Sequence, residues 1–331
     1  MKRMILAALL ALSCLPALAA GVDPFVGRWA LGLPGNAAGW LEVKQEDGWL
    51  DGSVLWGGGS VLPLDSVYLD GDTLRAARGK AVERKLPSGE VRNQYVSDLY
   101  AFTVDGDTIT GTRTSPRGDG TGVATVEVTG KRIPPLPPAP DLSKLKFGDP
   151  VTLFNGKNLD GWKPLGLGKN GWKAENGVLV NDARQEEGKP KVHYANLRTE
   201  AEFEDFNLTL EVNVPKDGNS GVYLRGVYEV QVFDSFGKPL DPHNMGGIYS
   251  RITPSAAAEK PAGEWQTMDI TLADRHVTVI LNGVNILDNA PLAGCTGGAL
   301  WADEFRPGPL YLQGDHTGVQ YRNIVLKPVV K

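Results

Sequence analysis

A carboxylate, an amide and a guanidinium fall close together in Asn219-Ser-Gly-Val-Tyr-Leu-Arg-Gly-Val-Tyr-Glu-Val-Gln-Val-Phe-Asp234. The stretch reads as two adjoining strands. Side chains alternate between the faces of a strand, so Glu229, Gln231 and Phe233 share one side, while Tyr228, Val230 and Val232 share the other. The second set has the composition of core. The first set, with Tyr223 and Arg225 one strand away, is a polar row suited to a sugar-binding or acid/base cleft. A solvated sheet face would carry the same pattern. Glu229 could act as a general base, with Asp234 as the other carboxylate. Asp234 is out of phase with Glu229 on a regular strand, so it joins that row only at a strand end or bulge.

Two histidines add proton-transfer capacity. His316 sits in Gln313-Gly-Asp-His-Thr-Gly318, a Gly-flanked loop after a strand, where functional side chains are common. His243 lies in Asp241-Pro-His-Asn244, in the loop that follows the key strand. His276, in a hairpin turn, and His193, in a polar stretch, read as surface residues. Trp172 and Trp301 could stack on a sugar ring, although burial is the commoner fate of tryptophan. Arg322 and Asn323 read as residues that pin the terminal strand.

These residues must be positioned by β structure. The 331 residues include 41 Gly and 23 Pro, with 41% hydrophobic and 22% charged residues, which suits short strands joined by turns in an ordinary globular chain. The length allows two domains. The formal charge of −5 and the lack of clustered Lys and Arg argue against a nucleic-acid partner. No GxGxxG motif precedes a helix, so dinucleotide chemistry is not expected.

Residues 1–19 read as a signal peptide. Lys2 and Arg3 precede the apolar run from Met4 to Leu12, and Ala17-Leu18-Ala19 supplies small residues for cleavage. Cleavage removes both cations and takes the formal charge from −5 to −7. The apolar run is too short to span a bilayer. Export to the periplasm or the exterior is therefore expected. The alternative is a lipoprotein signal ending at Cys14, which is the single route to membrane attachment. After ordinary cleavage only Cys295 remains, so an intrachain disulfide or a cysteine-based zinc site is excluded. Cys295 reads as a buried small hydrophobe.

Residues 22–133 show regularly spaced short strands with turns at Glu46-Asp-Gly, Leu69-Asp-Gly-Asp and Val104-Asp-Gly-Asp107. Such spacing predicts an antiparallel barrel or sandwich, with the charged segment 78–92 as an exposed hairpin or loop. The linker is placed at 134–147, headed by Ile133-Pro-Pro-Leu-Pro-Pro-Ala-Pro140, which should form a stiff extended spacer. Residues 148–331 form the second domain. Phe206-Asn-Leu-Thr-Leu-Glu-Val-Asn-Val214 alternates strongly, and 265–288 reads as consecutive hairpins. Two antiparallel sheets packed face to face would bury the apolar halves of these strands.

The second domain resembles the 3-keto-disaccharide hydrolase domain family. The resemblance rests on an ordered set: Leu153-Phe-Asn-Gly-Lys-Asn-Leu-Asp-Gly-Trp162, Asn219-Ser-Gly221, Leu224-Arg225, Glu229-Val-Gln-Val-Phe-Asp234, Gly263-Glu-Trp265, Leu281-Asn-Gly283, Leu312-Gln313 and Tyr321-Arg-Asn-Ile324. It implies a concanavalin-like jelly-roll β-sandwich, so the chain as a whole is expected to be all-β. It also implies cleavage of the glycosidic bond of a 3-keto-glycoside. A ketone at sugar carbon 3 acidifies the proton on carbon 2; a base removes it, the group on carbon 1 is eliminated, and water adds. Glu229 or Asp234 could be that base. Arg225 or His316 could stabilise the enolate, or His316 could protonate the leaving oxygen. Gln231, Gln313, Tyr223 and His243 are candidate substrate contacts.

The rival route is retaining hydrolysis by two carboxylates about 5–5.5 Å apart. The related laminarinase-type enzymes carry Glu-x-Asp-x-Glu on one strand. Here the pattern is Glu229-x-Gln231-x-x-Asp234, which favours elimination. A lectin-like binding module without catalysis is the alternative from another class. No cofactor is implied with certainty. Asp and Glu in several loops could take a divalent metal, although no loop has an EF-hand pattern. The first domain could be a docking or substrate-presenting accessory.

Overall fold

The computed structural model describes residues 21–186 and 188–330. The expected signal peptide and Cys14 lie outside the described residues. Among the described residues the regular structure is β apart from two short 3-10 turns, in agreement with the all-β expectation.

The first domain contains β1 (Gly27–Leu33), β2 (Ala37–Glu46), β3 (Trp49–Trp56), β4 (Leu62–Pro63), β5 (Ser66–Asp70), β6 (Thr73–Lys85), β7 (Val91–Asp105), β8 (Thr108–Pro116) and β9 (Val123–Ile133). Sequential neighbours pair antiparallel, and β9 returns to β1. Between β4 and β5 stand only Leu64 and Asp65. The Leu64 N–H donates to Gly52 on β3, and the Asp65 N–H donates to Ala77 on β6. That bent segment therefore closes the ring, and the domain is an up-and-down barrel rather than a sandwich. Its interior is filled by inward residues such as Trp29, Leu31, Leu41, Leu74, Phe102 and Ile109. Asp47 and Gly48, both at positive φ (49° and 84°), make the two-residue turn between β2 and β3. The charged segment 78–92 is the outer end of the β6–β7 hairpin, whose pairing runs to Lys85 and Val91.

The second domain contains β10 (Lys146–Phe147), β11 (Val151–Thr152), β12 (Trp162–Leu165), β13 (Trp172–Glu175), β14 (Val178–Asn181), β15 (Asn196–Thr199), β16 (Phe206–Asn213), β17 (Asn219–Leu224), β18 (Tyr228–Phe233), β19 (Trp265–Ala273), β20 (His276–Leu281), β21 (Val284–Pro291), β22 (Tyr311–Leu312) and β23 (Val319–Val330). One sheet has the order β13-β14-β23-β16-β19-β20-β21, with β10 and β11 also on β23; the other has the order β12-β15-β22-β17-β18. Alternation makes each sheet one-sided. Leu208, Leu210 and Val212 of β16 join Val222, Leu224, Val230 and Val232 of β17 and β18 in one buried cluster. Tyr228 belongs to it as well, as its phase predicts. The result is the two-sheet jelly-roll arrangement. On the opposite face of β17 and β18, Tyr223, Glu229 and Gln231 are buried as well.

The two domains are not strung apart. Ala38, Trp40, Leu55 and Ile133 of the barrel pack into the sandwich cluster. The Pro-rich segment is laid on the sandwich instead of standing free as a spacer. The Pro134 carbonyl accepts from Arg275 at 3.3 Å, and the Pro140 carbonyl accepts from Asn289 at 2.9 Å.

Candidate functional site

Strand register assembles the site. Arg198 on β15 faces Tyr311 on β22, Tyr311 faces Tyr223 on β17, and Tyr223 faces Glu229 on β18. The next row brings Gly221 opposite Gln231, with the Gln313 N–H donating to the Gly221 carbonyl. Gly221 cannot be larger: a Cβ there would lie 2.2 Å from Glu229 Oε1. The glycine in Asn219-Ser-Gly221 makes room for the carboxyl across the strand.

Glu229 is 2% exposed. Its backbone is tied on both sides: its N–H donates to Thr296 Oγ1 (2.9 Å), and its carbonyl accepts from the Tyr249 N–H (3.0 Å). The Tyr223 hydroxyl lies 2.8 Å from Glu229 Oε2 and 2.6 Å from the Gly297 carbonyl. A phenol has one proton to give. Both contacts are satisfied when Tyr223 donates to Gly297 and a protonated Glu229 donates to the Tyr223 oxygen. Burial pushes the Glu229 carboxyl up to about 8; the Tyr223 contact opposes that shift and the Asp315 charge adds to it. At neutral pH Glu229 is therefore a carboxylic acid, able to donate. The Gln231 amide lies between Asn219 (3.2 Å) and Glu229 Oε1 (3.3 Å). Gln313 Oε1 is buried without a hydrogen-bond partner.

The loop after β22 brings an acid/base pair to the same end. His316 is exposed and its Nδ1 lies 2.6 Å from Asp315 Oδ1. That contact commits Nδ1 and leaves Nε2 for proton transfer. Burial pushes the Asp315 carboxyl up, but the His316 hydrogen bond and charge outweigh it and hold it below the ordinary carboxylate value. On the other flank His243 Nδ1 bonds Asp241 Oδ1, and its ring packs edge-on against Tyr249 at 4.9 Å.

Glu229, Gln231, Tyr223 and Gln313 are thus gathered around one face, and Asp315, bonded to His316, is near enough for its charge to act on Glu229. Two expected members are used elsewhere. Asp234 Oδ2 accepts from the Asp217 N–H (2.9 Å), so this carboxylate braces the turn into β17. No Glu229/Asp234 pair forms on β18, which removes the two-carboxylate route from that strand. Arg225, at positive φ (56°) in the β17–β18 hairpin turn, is buried on the carbonyls of Glu304 (2.8 Å) and Arg306 (2.6 Å). It fastens the 304–306 loop. His276 is also not at the surface: it is buried, with Nδ1 2.9 Å from the Asp274 carbonyl, because its hairpin turn also carries the buried Arg275 inward. Arg322 and Asn323 do brace the terminal strand, both donating to Glu211. Cys295 is fully buried and its thiol is pushed up to about 12.

Sequence reasoning missed Asp315, Thr296 and Gly297. Asp315 adjoins His316 in the chain, so its role was open to view; Thr296 and Gly297 have no local signal. Among the described residues no group of three or more His, Cys, Asp or Glu side chains is placed to hold a metal ion.

Residues 149–327 match the family described as the 3-keto-alpha-glucoside-1,2-lyase-like domain. The chain belongs to this family. A curated relative, the 3-keto-disaccharide hydrolase of Bacteroides thetaiotaomicron, is 26% identical over 172 residues, which are 42% of this chain and 57% of that protein. The chain thus spans a little over half the length of that relative. A solved structure from Parabacteroides distasonis, described as a candidate glycosyl hydrolase, is 29% identical. It has a TM-score of 0.45, covering 59% of this chain and 93% of the other. Within the lyase-like family domain, the site combines a neutral buried acid, an exposed imidazole oriented by a carboxylate, and amides that could bind hydroxyls. Such a set can move a proton from carbon and hold the negative charge that results.

Proposed function

We propose that this protein cleaves the glycosidic bond of 3-keto-glycosides by elimination, outside the cytoplasm. His316 Nε2, oriented by Asp315, removes the carbon-2 proton. The electron pair flows to the keto oxygen, where neutral Glu229, turning its single O–H away from the Tyr223 oxygen, donates a hydrogen bond to the enolate. Collapse of the enolate re-forms the ketone, makes the C1–C2 double bond and breaks the bond from carbon 1 to the glycosidic oxygen. That oxygen leaves with the proton returned by the imidazolium. Water can then add across the new double bond, so the net change is hydrolysis. Gln231, Gln313 and Asn219 would take ring hydroxyls.

The reading is supported most by one arrangement: in a domain of this family, Glu229 is buried beside Tyr223 while an Asp315–His316 pair follows β22, two strands away from β18 in the same sheet. The assignment differs from the sequence expectation in giving the base role to His316 and a donor role to Glu229. The test is turnover of a 3-keto-glucoside in heavy water. Sugar release with deuterium at carbon 2 of recovered substrate or product is expected. Release without deuterium would refute elimination, and no release would refute the substrate class.

A further inference from the structure

The barrel's loop between β3 and β4 crosses the Glu229 end of the sandwich and touches both of its flanks. On one flank, the Gly57 carbonyl accepts from the Gly298 N–H at 3.4 Å. Gly59 packs so closely on Gly297 that a Cβ at Gly297 would lie 2.0 Å from the Gly59 carbonyl oxygen. Gly297 is the residue whose carbonyl takes the Tyr223 hydroxyl. On the other flank, Ser60 Oγ is 3.0 Å from His243 Nε2, and the Val61 N–H donates to Ser250 Oγ at 2.9 Å. Tyr249, between these two residues in the chain, carries the N–H that pins the Glu229 carbonyl.

The loop sequence Gly57-Gly-Gly-Ser-Val61 is suited to this crossing. Gly57 and Gly59 sit at φ of +82° and +83°, and three successive residues without side chains let the backbone lie against Gly297. Ser60 completes a chain Asp241–His243–Ser60 in which each ring nitrogen of His243 has a partner. One of those partners, Asp241, comes from the sandwich loop and the other, Ser60, from the barrel. An imidazole so held has a fixed ring plane and a fixed tautomer.

We propose that the barrel is a working part of the cleft: its 57–61 loop positions the Tyr223–Glu229 pair through Gly297 and orients His243 through Ser60. The proposal rests on the site reading above and assigns the first domain a role beyond docking or substrate presentation. Ser60 and Gly297 are positioning residues, since neither is required to touch the sugar. The groups facing Glu229 are Tyr223 from β17, Tyr311 from β22, Asp315 from the following loop and Gln231 from its own strand, with Tyr321 of the opposite sheet within electrostatic reach. Nothing in that set is cationic, so burial is the main cause of the raised Glu229 carboxyl, and the barrel loop packs on Gly297, whose carbonyl holds the Tyr223 hydroxyl.

The test uses the full chain with two variants. Gly297→Ala needs no positive φ, and the three atoms nearest its new Cβ all belong to Gly59 of the barrel loop. It should disturb the packing behind Tyr223 and move the alkaline limb of the kcat/KM profile to lower pH, because a less buried Glu229 ionises more readily. Ser60→Ala should lower kcat/KM about fivefold through the loss of one hydrogen bond, with Ser60→Thr restoring it. Unchanged limbs in Gly297→Ala together with unchanged kcat/KM in Ser60→Ala would overturn the proposal. Should Gly297→Ala fail to fold, the Ser60 pair decides alone. Should the wild type not turn over a 3-keto-glucoside, the function reading fails but this one is still decided by NMR. In that case the Glu229 carboxyl titration in Gly297→Ala, or the His243 ring resonances in Ser60→Ala, must shift from the wild type.

Discussion

Two buried glutamates lie on opposite sides of the start of β18, one bonded by Tyr228 and the other Glu229 itself, and their surroundings differ in kind. Glu304 is 1% exposed and is answered by three donors: the Tyr228 hydroxyl (2.8 Å), the Gly294 N–H (2.9 Å) and the Arg275 guanidinium (3.2 Å). Burial pushes its carboxyl up, while Arg275 and Tyr228 pull it down. Glu229, equally buried, meets one phenol and an amide, and the charge nearest to it is the anion Asp315. A buried carboxyl answered by a cation and hydrogen bonds is a structural tie. Both carboxyls are raised by burial, but the one left with weak partners and a like charge has no structural tie to account for its burial, which is the mark of a group with chemistry to do. Arg225 and Tyr228 of the opening motif belong to the first environment, whereas Tyr223 and Gln231 belong to the second.

The contrast predicts opposite responses to removal. Glu304→Ala strips the partner from a guanidinium that is itself buried, so unfolding free energy should drop by about 3–5 kcal/mol in urea titrations. A loss below about 1 kcal/mol would erase the distinction between the two sites. Glu229→Gln keeps shape and hydrogen bonding and should fold normally, yet turnover should fall by about 100-fold or more. Wild-type turnover in this variant would remove Glu229 from the mechanism.

Stability against pH reports the burial that the two glutamates share. Glu229 binds its proton more tightly in the fold, with a pKa of about 8, than its ordinary value of 4.5. Ionisation therefore opposes folding. Stability should decline as pH rises from about 4.5 through 8 and level off above it, and Glu304 contributes with the same sign. Glu229→Gln should flatten that decline. Its stability at pH 8 should match or exceed that of the wild type, as read by urea unfolding across the pH range.

Much of this architecture was legible in the chain. Alternation in 206–214 and 219–234 marked which side chains would face the core, because strand geometry translates a period of two directly into faces. The same logic placed Glu229 and Gln231 together. It failed at Asp234 and Arg225, which lie at strand ends, where turn geometry and not phase decides direction. The barrel was legible as regular short strands, but its closure depends on the Leu64–Asp65 bend, which has no periodic signature. Least legible was the meeting of Ser60 with His243, since 183 residues separate them and only the packing of two domains joins them. The neutral state of Glu229 was equally hidden, because it arises from burial and from the partners that burial selects.

Asp315→Asn provides the finest test of why Glu229 differs from Glu304. The Asp315 charge raises the Glu229 carboxyl, and burial is the larger cause. Replacing the carboxylate by an amide removes the repulsion and leaves the burial, so the alkaline limb of activity should move to lower pH by a fraction of a unit. The rate should fall as well, because His316 loses the anion that orients it. The two effects are separable: the limb's position reports Glu229, and the plateau reports the imidazole. A limb that stays in place while the plateau falls would mean that Asp315 serves His316 alone, and that burial accounts for the whole of the contrast. A limb moving to higher pH would contradict the electrostatic picture, since no loss of a nearby negative charge can make a carboxyl harder to ionise.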